Sequence, residues 1–559
     1  TGRLYYLQII RSDDYKTLSE NNRIKLNLLA PYRGEIFDRN ERTLAVNQNT
    51  YKVLLDKQEA KDIKTIIQKI VQILNFSEQE IESINKKIVQ QKSLPKLVIY
   101  NNLNWDELVQ IETNLFDLPG VTIEVGQIRY YPYGANCAHI IGYLASPSEN
   151  NKEKNLYYHP DIKIGKNGIE KIYDKYLSGQ VGFKKMEVNA HGYIVRELSV
   201  EEPKNGTKIT LSIDAELQNK IVTLVKNKSA SVVVIDVNNG NLLALCSTPS
   251  FDNNEFNKGI STDYWKELNS NPYLPLINKS ISTQYPPGST FKLIVALAAL
   301  EDNISSDLEF YCPGYVMLGE RKFHCWKEGG HGHLNLIQAI ACSCNCYFYN
   351  LSTKIGIEKI ALIAEKFNLG KKTNIDLPGE VPGFVPNKKW KRQKLKKDWL
   401  LGDTLNAAIG QGYVLATPIQ LAVMAARIAS GKLITPSLIL NENVQFHDLP
   451  INLKNLNIIR KAMEDVVNQP GGSGYNSRIE EYNKRFAGKT GTSQVISKKS
   501  FSDDLNKAST SYVNRNHGSF VCYGPVNNPK YACSVVIEHS GSGGGNAAPI
   551  ARDVMMELL

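Results

Sequence analysis

The hydrophobic positions change period along the chain, and the changes divide it. Ile63, Ile66, Ile67, Ile70, Val71 and Leu74 recur at three- and four-residue spacing, which predicts a helix with one apolar face. Ser77 with Glu80, and Asn104 with Glu107, carry the capping-box spacing of two further helix starts. Short β-rich runs, Lys96 to Tyr100 and Val121 to Val125, lie among them. After Pro203 and Gly206 the texture shifts. Ser231 to Asp236 and Asn241 to Leu245 are β-rich and flank Val237-Asn238-Asn239-Gly240, a hairpin signal. Phe520 to Tyr523 and Tyr531 to Ile537 flank the Pro525 to Pro529 turn as a second hairpin. Between the hairpins the pattern is mostly helical, as in Leu293 to Leu300 and Ile419 to Ile428. Strands at both ends with helices inserted predict an α+β fold whose terminal strands share one antiparallel sheet. We therefore expect a mixed α/β module over residues 1–205 and the α+β domain over 206–559.

Composition narrows the class without changing this division. At 559 residues the chain exceeds one ordinary core, and 42% hydrophobic with 22% charged residues excludes wholesale disorder. The net charge of +10 is dispersed except at Lys388, Lys389, Lys391, Arg392, Lys394, Lys396 and Lys397. That run predicts a solvated loop, or else contact with an anionic lipid or polymer. No nucleic-acid-binding motif is present, so nucleic acid is excluded as a partner. No stretch of 18 apolar residues occurs. The opening Leu4-Tyr5-Tyr6-Leu7-Gln8-Ile9-Ile10 is apolar and aromatic; an amphipathic helix and the remnant of a membrane anchor fit it equally. Cysteines number nine, and five crowd between Cys312 and Cys346, unlike a spaced disulfide framework.

Three motifs carry chemistry. Pro286-Pro287-Gly288 sets the start of a helix, placing Ser289 in its first turn and Lys292 three residues on along the same face. A serine hydroxyl is a poor nucleophile until a base takes its proton, and a lysine can be that base if burial holds its amine neutral. Ser343-Cys344-Asn345 follows. Then Lys489-Thr490-Gly491-Thr492 extends from Arg485-Phe486-Ala487-Gly488, a β-like start that suits an edge strand facing a cleft. There the glycine lets a substrate backbone lie close, and lysine and threonine can hold a carboxylate. Each motif alone is weak; the order of the three, first on a helix and last in the terminal sheet, is the signal. No nucleophile-and-base pair stands out in the first half, which therefore reads as scaffold.

S-x-x-K, S-x-N and K-T-G in this order resemble the penicillin-recognising serine enzymes. The wider text resembles class B penicillin-binding proteins over nearly the whole chain. Arg33-Gly34-Glu35-Ile36-Phe37-Asp38-Arg39, Arg129-Tyr130-Tyr131-Pro132, and Gly168-Ile169-Glu170 through Tyr173 and Leu177 to Gly179 look like that family's elongated, non-catalytic pedestal or dimerisation-type module. Asp236, Gly240 and Ser247 to Asp252 resemble the opening of its transpeptidase domain; Gly410-Gln411-Gly412 with Thr417-Pro418 resembles a helical stretch within it. Gly330-His331-Gly332-His333-Leu334-Asn335 and the cysteine-rich loop look most like the elongation branch, penicillin-binding protein 2.

The resemblance implies a mechanism. Lys292 would deprotonate Ser289 for attack on the penultimate D-alanine of a stem peptide, with the amides of Ser289 and Thr492 as oxyanion hole. Ser343, linked to Lys292 and Lys489, would pass a proton to the departing D-alanine. Asn345 would hold the peptide amide, while Thr490 and Thr492, around Gly491, would bind the terminal carboxylate. No position matches the water-activating glutamate of class A β-lactamases. The resemblance also implies β-lactams as ligands, a membrane glycosyltransferase and elongation-complex proteins as partners, and a periplasmic location with an N-terminal anchor in the inner membrane. No cofactor is expected for the chemistry itself.

Cys312, Cys325, His331 and Cys344, at gaps of 13, 6 and 13 residues, form a complete tetrahedral zinc set by type. They also resemble positions at which the penicillin-binding protein 2 branch binds a metal. A Cys312–Cys325 disulfide or buried free thiols are the alternatives. His324 and His333 are alternative ligands, and Cys342 and Cys346 read as packing residues. Other functions remain for comparison. A β-lactamase rarely needs two hundred residues of scaffold, a β-lactam sensor should carry transmembrane helices and a protease domain, and a dead scaffold should lose Lys292 or Ser343. The division-type class B relative is the nearest rival, separated mainly by the loop from Cys312 to Asn335.

Overall fold

Strands from both ends of the second half meet in one sheet. The computed structural model describes residues 24–147, 162–189, 194–495 and 512–559, apart from 58, 61, 77 and several positions between 79 and 95. The aromatic opening and the Ser77–Glu80 cap lie outside the described residues. The sheet comprises β1 (Ala230–Asp236), β2 (Leu242–Thr248), β3 (Ala487–Ser493), β4 (His517–Gly524) and β5 (Tyr531–Ile537), in spatial order β2-β1-β5-β4-β3 and antiparallel throughout. Val232 to Ile235 are all fully buried because helices cover both faces, which is why the run is apolar without alternation.

The inserted helices include α1 (Lys292–Glu301), α2 (Asn345–Lys366), α3 (Lys388–Leu395), α4 (Pro418–Ser430) and α5 (Leu453–Asn468); α6 (Ala548–Leu558) ends the chain. α4 packs on one face of the sheet, where Ser534 Oγ donates to the Pro418 carbonyl at 2.7 Å. α6 packs on the other face, with Met555 and Leu559 against Gly524. α1 is apolar all round and buried from Lys292 to Leu300, so it runs through the core rather than over it. The α+β expectation for this region agrees with the architecture.

The basic run departs from expectation. It is a helix, α3, capped by the Asn387 side chain, which accepts from the Trp390 amide at 2.8 Å. Trp390, inside the run, packs its ring 4.6 Å from Phe384 and 5.1 Å from Tyr413. Lys391 is buried and pairs with Asp403, while the other six basic side chains face solvent. One aromatic anchor and one buried ion pair fold a segment whose charge alone reads as loop.

In the first half, the strand Thr43–Asp56 pairs with Lys96–Leu103 and Val121–Tyr130. The helix Ile63–Ile73, capped by Asp62, buries Ile66 and Ile70 against them, and the Asn104–Glu107 capping box forms as its spacing predicts. This part has its own core, built on Val53, Ile70, Leu97 and Ile111. By contrast Ile36, Leu44, Tyr131, Ile140, Ile169 and Leu177 belong to the same buried cluster as the five-stranded sheet. Among the described residues, no helix is long and apolar enough to cross a membrane.

Three sequence motifs far apart in the chain converge at this junction. Glu170, fully buried, accepts from Arg33 Nε at 2.6 Å and from Arg129 Nε at 2.8 Å. Arg33 also reaches Asp174 at 2.7 Å, and Arg129 reaches the Gly34 carbonyl at 2.8 Å and Asn47 at 3.0 Å. Glu170 thus bridges two buried guanidiniums and is the carboxylate partner of Arg129, while Arg33 shares it with Asp174. Glu170→Ala should cost about 3–5 kcal/mol, the price of stranding buried charge, read as a lower urea midpoint. A loss under about 1 kcal/mol would contradict this role.

Candidate active site

The site forms where the start of α1, the start of α2 and the edge strand β3 meet. Gly288–Phe291 makes a tight 3-10 turn that leads straight into α1, so Ser289 lies on the turn and Lys292 is the first α-helical residue. This differs from a simple first-turn position, but it keeps the three-residue spacing. Gly288 sits at φ +57° and donates its amide to the Gly410 carbonyl at 3.0 Å. A Cβ on Gly410 would lie 2.1 Å from the Gly288 carbonyl oxygen, so the Gly410-Gln411-Gly412 stretch is a backbone clamp on the serine turn. Gln411 Nε2 then reaches the Thr492 carbonyl at 3.2 Å, tying the same clamp to β3.

Lys292 is fully buried, and its ammonium nitrogen has three partners on the Ser343–Asn345 segment. It donates to the Ser343 carbonyl at 2.8 Å, Asn345 Oδ1 at 2.7 Å and Ser343 Oγ at 3.4 Å. Burial lowers its pKa to about 8, with the neighbouring cysteine thiols acting in the opposite direction. Ser289 is half-buried, and its hydroxyl has no hydrogen-bond partner among the described residues. A nucleophile–base contact that is loose without substrate is common.

Ser343 occupies the left-handed region at φ +57°, an uncommon state for a non-glycine residue and one that clusters at functional sites. Its carbonyl accepts from Lys292 and, at 3.1 Å, from Trp326 Nε1. Trp326 also donates to the Cys342 carbonyl at 3.1 Å. Sequence reasoning missed this tryptophan, because nothing in its spacing shows that its indole reaches a backbone 17 residues away.

Lys489, Thr490, Gly491 and Thr492 lie on β3, the edge strand the pattern predicts. Lys489 is fully buried, and desolvation with the nearby Lys292 pushes its pKa well down. It donates to the Thr490 carbonyl at 3.2 Å and to Thr490 Oγ1 at 3.4 Å, rather than to Ser343. Thr490 Oγ1 lies 2.7 Å from Ser473 Oγ, a second residue missed in the sequence. Thr492 and Gly288 approach so closely that a Cβ on Gly288 would lie 3.0 Å from the Thr492 nitrogen, which brings the strand's amide alongside the serine turn.

Beside this constellation Cys312, Cys325, His331 and Cys344 converge, their ligand atoms all within 4.8 Å of one another. Cys312 Sγ and Cys325 Sγ lie 3.6 and 3.5 Å from His331 Nδ1, and Cys325 Sγ lies 4.0 Å from Cys344 Sγ. A tetrahedral zinc sets S···N edges near 3.5 Å and S···S edges near 3.8 Å, each to within about 0.3 Å, and these three separations match it; three thiols and an imidazole are also the donor types the ion takes. None of the nine cysteines is in a disulfide, so the Cys312–Cys325 bridge does not form. His324 and His333 are outside the cluster. Contacts with the Cys344 and Cys346 thiols pull Cys325 down toward thiolate, whereas contact with Cys325 pushes Cys344 up to about 11. A bare pocket therefore resists holding several thiolates, and a cation relieves that. Cys344 is also the N-cap of α2, its sulfur accepting from the Tyr347 amide at 3.5 Å, and Cys325 Sγ accepts from the Asn345 amide at 3.4 Å.

This geometry coincides with a known family. Residues 230–556 match the "Penicillin binding protein transpeptidase domain", and residues 28–211 match the "Penicillin-binding Protein dimerisation domain". The chain belongs to the penicillin-binding proteins that carry both of these domains. Over its full length it is 36% identical to peptidoglycan D,D-transpeptidase MrdA of Salmonella typhimurium, covering 92% of that protein, and 34% identical to MrdA of Escherichia coli K12, covering 90%. Its fold is similar to penicillin-binding protein PBP2 of Helicobacter pylori, solved in complex with MreC (TM-score 0.85, 32% identity, 96% of this chain and 98% of that one). It is also similar to PBP2 of Pseudomonas aeruginosa in complex with WCK 5153 (TM-score 0.72, 28% identity, 96% and 97%).

Proposed function

We propose that this protein cross-links peptidoglycan stem peptides as an elongation-type D,D-transpeptidase, through an acyl-enzyme on Ser289. The observation that carries the proposal is Lys292, a fully buried amine with a pKa near 8, three residues after the serine and held by Ser343 and Asn345. The MrdA relatives and the PBP2 structures favour the elongation branch over the division-type alternative. They likewise argue against a β-lactamase or a sensor.

In the reaction, neutral Lys292 takes the Ser289 proton as Oγ attacks the penultimate D-alanine carbonyl. The Ser289 and Thr492 amides donate to the oxyanion. The peptide C–N bond breaks, the departing D-alanine amine takes a proton from Ser343, Lys292 passes the Ser289 proton on to Ser343, and an ester on Ser289 remains with both groups restored. Asn345 orients the peptide amide, and Thr490 and Thr492 bind the terminal carboxylate. An amine from a neighbouring stem peptide then attacks the ester, forms the cross-link and returns the proton to Ser289. A β-lactam follows the first half of this path and stops there. The reaction places the protein on the periplasmic face of the inner membrane, with a glycan-polymerising enzyme and elongation-complex proteins as partners. The Helicobacter protein's complex with MreC supports the latter.

Cys312, Cys325, His331 and Cys344 would hold one structural zinc. Bound there, the ion supplies rigidity to the loop and no step of the chemistry.

Labelled penicillin should add one acyl group at Ser289, located by peptide mass spectrometry. Ser289→Ala should abolish it and Lys292→Arg, whose guanidinium stays protonated, should slow it at least 100-fold. Label on another serine, or near-normal acylation by the arginine variant, would refute the assignment. For the metal, elemental analysis should find about one zinc per chain, clearly less in Cys325→Ser, with a lower melting temperature and slower acylation. A zinc-free wild-type protein that acylates at full rate would overturn the metal and leave the transpeptidase standing.

A further inference from the structure

The short turn Gly471-Gly472-Ser473-Gly474 follows α5 and carries no motif, yet it reaches the catalytic strand. Ser473 Oγ is 2.7 Å from Thr490 Oγ1, the shortest side-chain contact that Thr490 makes. The turn is fixed from two further directions. The Ser473 amide donates to the Ala341 carbonyl at 2.9 Å, two residues before Ser343, and the Gly474 amide donates to Val466 in α5 at 3.0 Å. Its main chain is also tightly flanked, since a Cβ on Gly544 would lie 2.7 Å from the Ser473 carbonyl oxygen. The main chain that carries Ser473 is therefore held beside Thr490.

A threonine hydroxyl has one hydrogen and two lone pairs. Lys489 Nζ donates to Thr490 Oγ1 at 3.4 Å. If the Ser473 hydroxyl donates as well, both lone pairs are filled and the Thr490 hydrogen must point elsewhere. The acceptor available to it is an anionic group of the substrate. Without Ser473, the threonine rotor is free to settle on other acceptors, and an arriving carboxylate must reorganise it. We infer that Ser473 is a positioning residue for carboxylate recognition: by filling one lone pair of Thr490 it aims the Thr490 proton at the terminal carboxylate of the substrate. This rests on the transpeptidase assignment above, in which Thr490 meets that carboxylate.

The inference separates binding of the charge from chemistry at Ser289, so it is tested with a ligand pair that differs only in the charge. Second-order acylation constants are measured for benzylpenicillin and its methyl ester, in the full chain with its metal site intact. The wild type should prefer the free acid. Ser473→Ala should lose about tenfold with the acid, within the range for a hydrogen bond to a charged group, and change less than twofold with the ester. Ser473→Cys, close in shape but a weak donor, should behave like alanine, and Ser473→Thr should retain the preference. Equal losses on acid and ester, or no loss on either, would overturn the role of Ser473 while leaving Thr490 as carboxylate ligand. A wild type that does not distinguish acid from ester would overturn the carboxylate reading of Thr490, and Ser473 with it.

Discussion

The site depends on a lysine that has been taken out of water. Lys292 opens α1, a helix buried on all sides, so its amine cannot reach solvent by bending away as a surface lysine does. Desolvation penalises the charged form, and the compensation comes from two carbonyl-type oxygens and one hydroxyl rather than a carboxylate. A carboxylate partner would have restored the ammonium ion. Neutral acceptors satisfy the hydrogen bonds and leave the proton loosely held, which is the condition for a base near neutral pH. The rest of the architecture keeps this arrangement in place: Ser343 is strained into the left-handed region so that its carbonyl faces Lys292, and Gly410 clamps the turn that carries Ser289.

The cysteine–histidine cluster belongs to the same logic. Cys344 lies between Ser343 and Asn345, caps α2 and converges with Cys312, Cys325 and His331, so the loop's conformation and the two catalytic positions are one mechanical unit. Trp326, between Cys325 and His331, adds a direct link by donating to the Ser343 carbonyl. A rigid loop here fixes the acceptors of Lys292 without touching the reacting atoms. The convergence of Arg33, Arg129 and Glu170 does comparable work within the N-terminal module, holding together segments that lie far apart in the chain through buried charge.

Much of this was legible in the sequence, and the limits have physical causes. The hairpins at Ser231 and Phe520 and the helix from Leu293 follow from local period, and they appear with their ends shifted by a few residues. The three motifs could be read because each packs its chemistry into four residues or fewer. The basic run was misread as loop because the Asp403 carboxylate that pairs with Lys391 lies 12 residues on, and charge density conceals a buried partner. Ser473 was illegible for a similar reason. Its partner lies 17 residues away, and only the packing of α5 brings a glycine-rich turn beside the edge strand. The convergence of the Arg33, Arg129 and Gly168 to Glu170 segments could be recognised as text but not as one ion cluster, since nothing in the spacing joins positions 137 residues apart.

The central claim is that burial makes Lys292 the base, and its protonation can be followed directly. With lysines isotopically labelled at the side chain, and Lys292→Met used to assign the signal, NMR titration should show Lys292 losing its proton near pH 8, well below the ordinary lysine value near 10.4. The acylation rate at Ser289 should rise with pH through the same midpoint and level off above it, because the neutral amine is the active form. A Lys292 signal that titrates at the ordinary value, or an acylation rate flat from pH 6 to 9, would contradict the account.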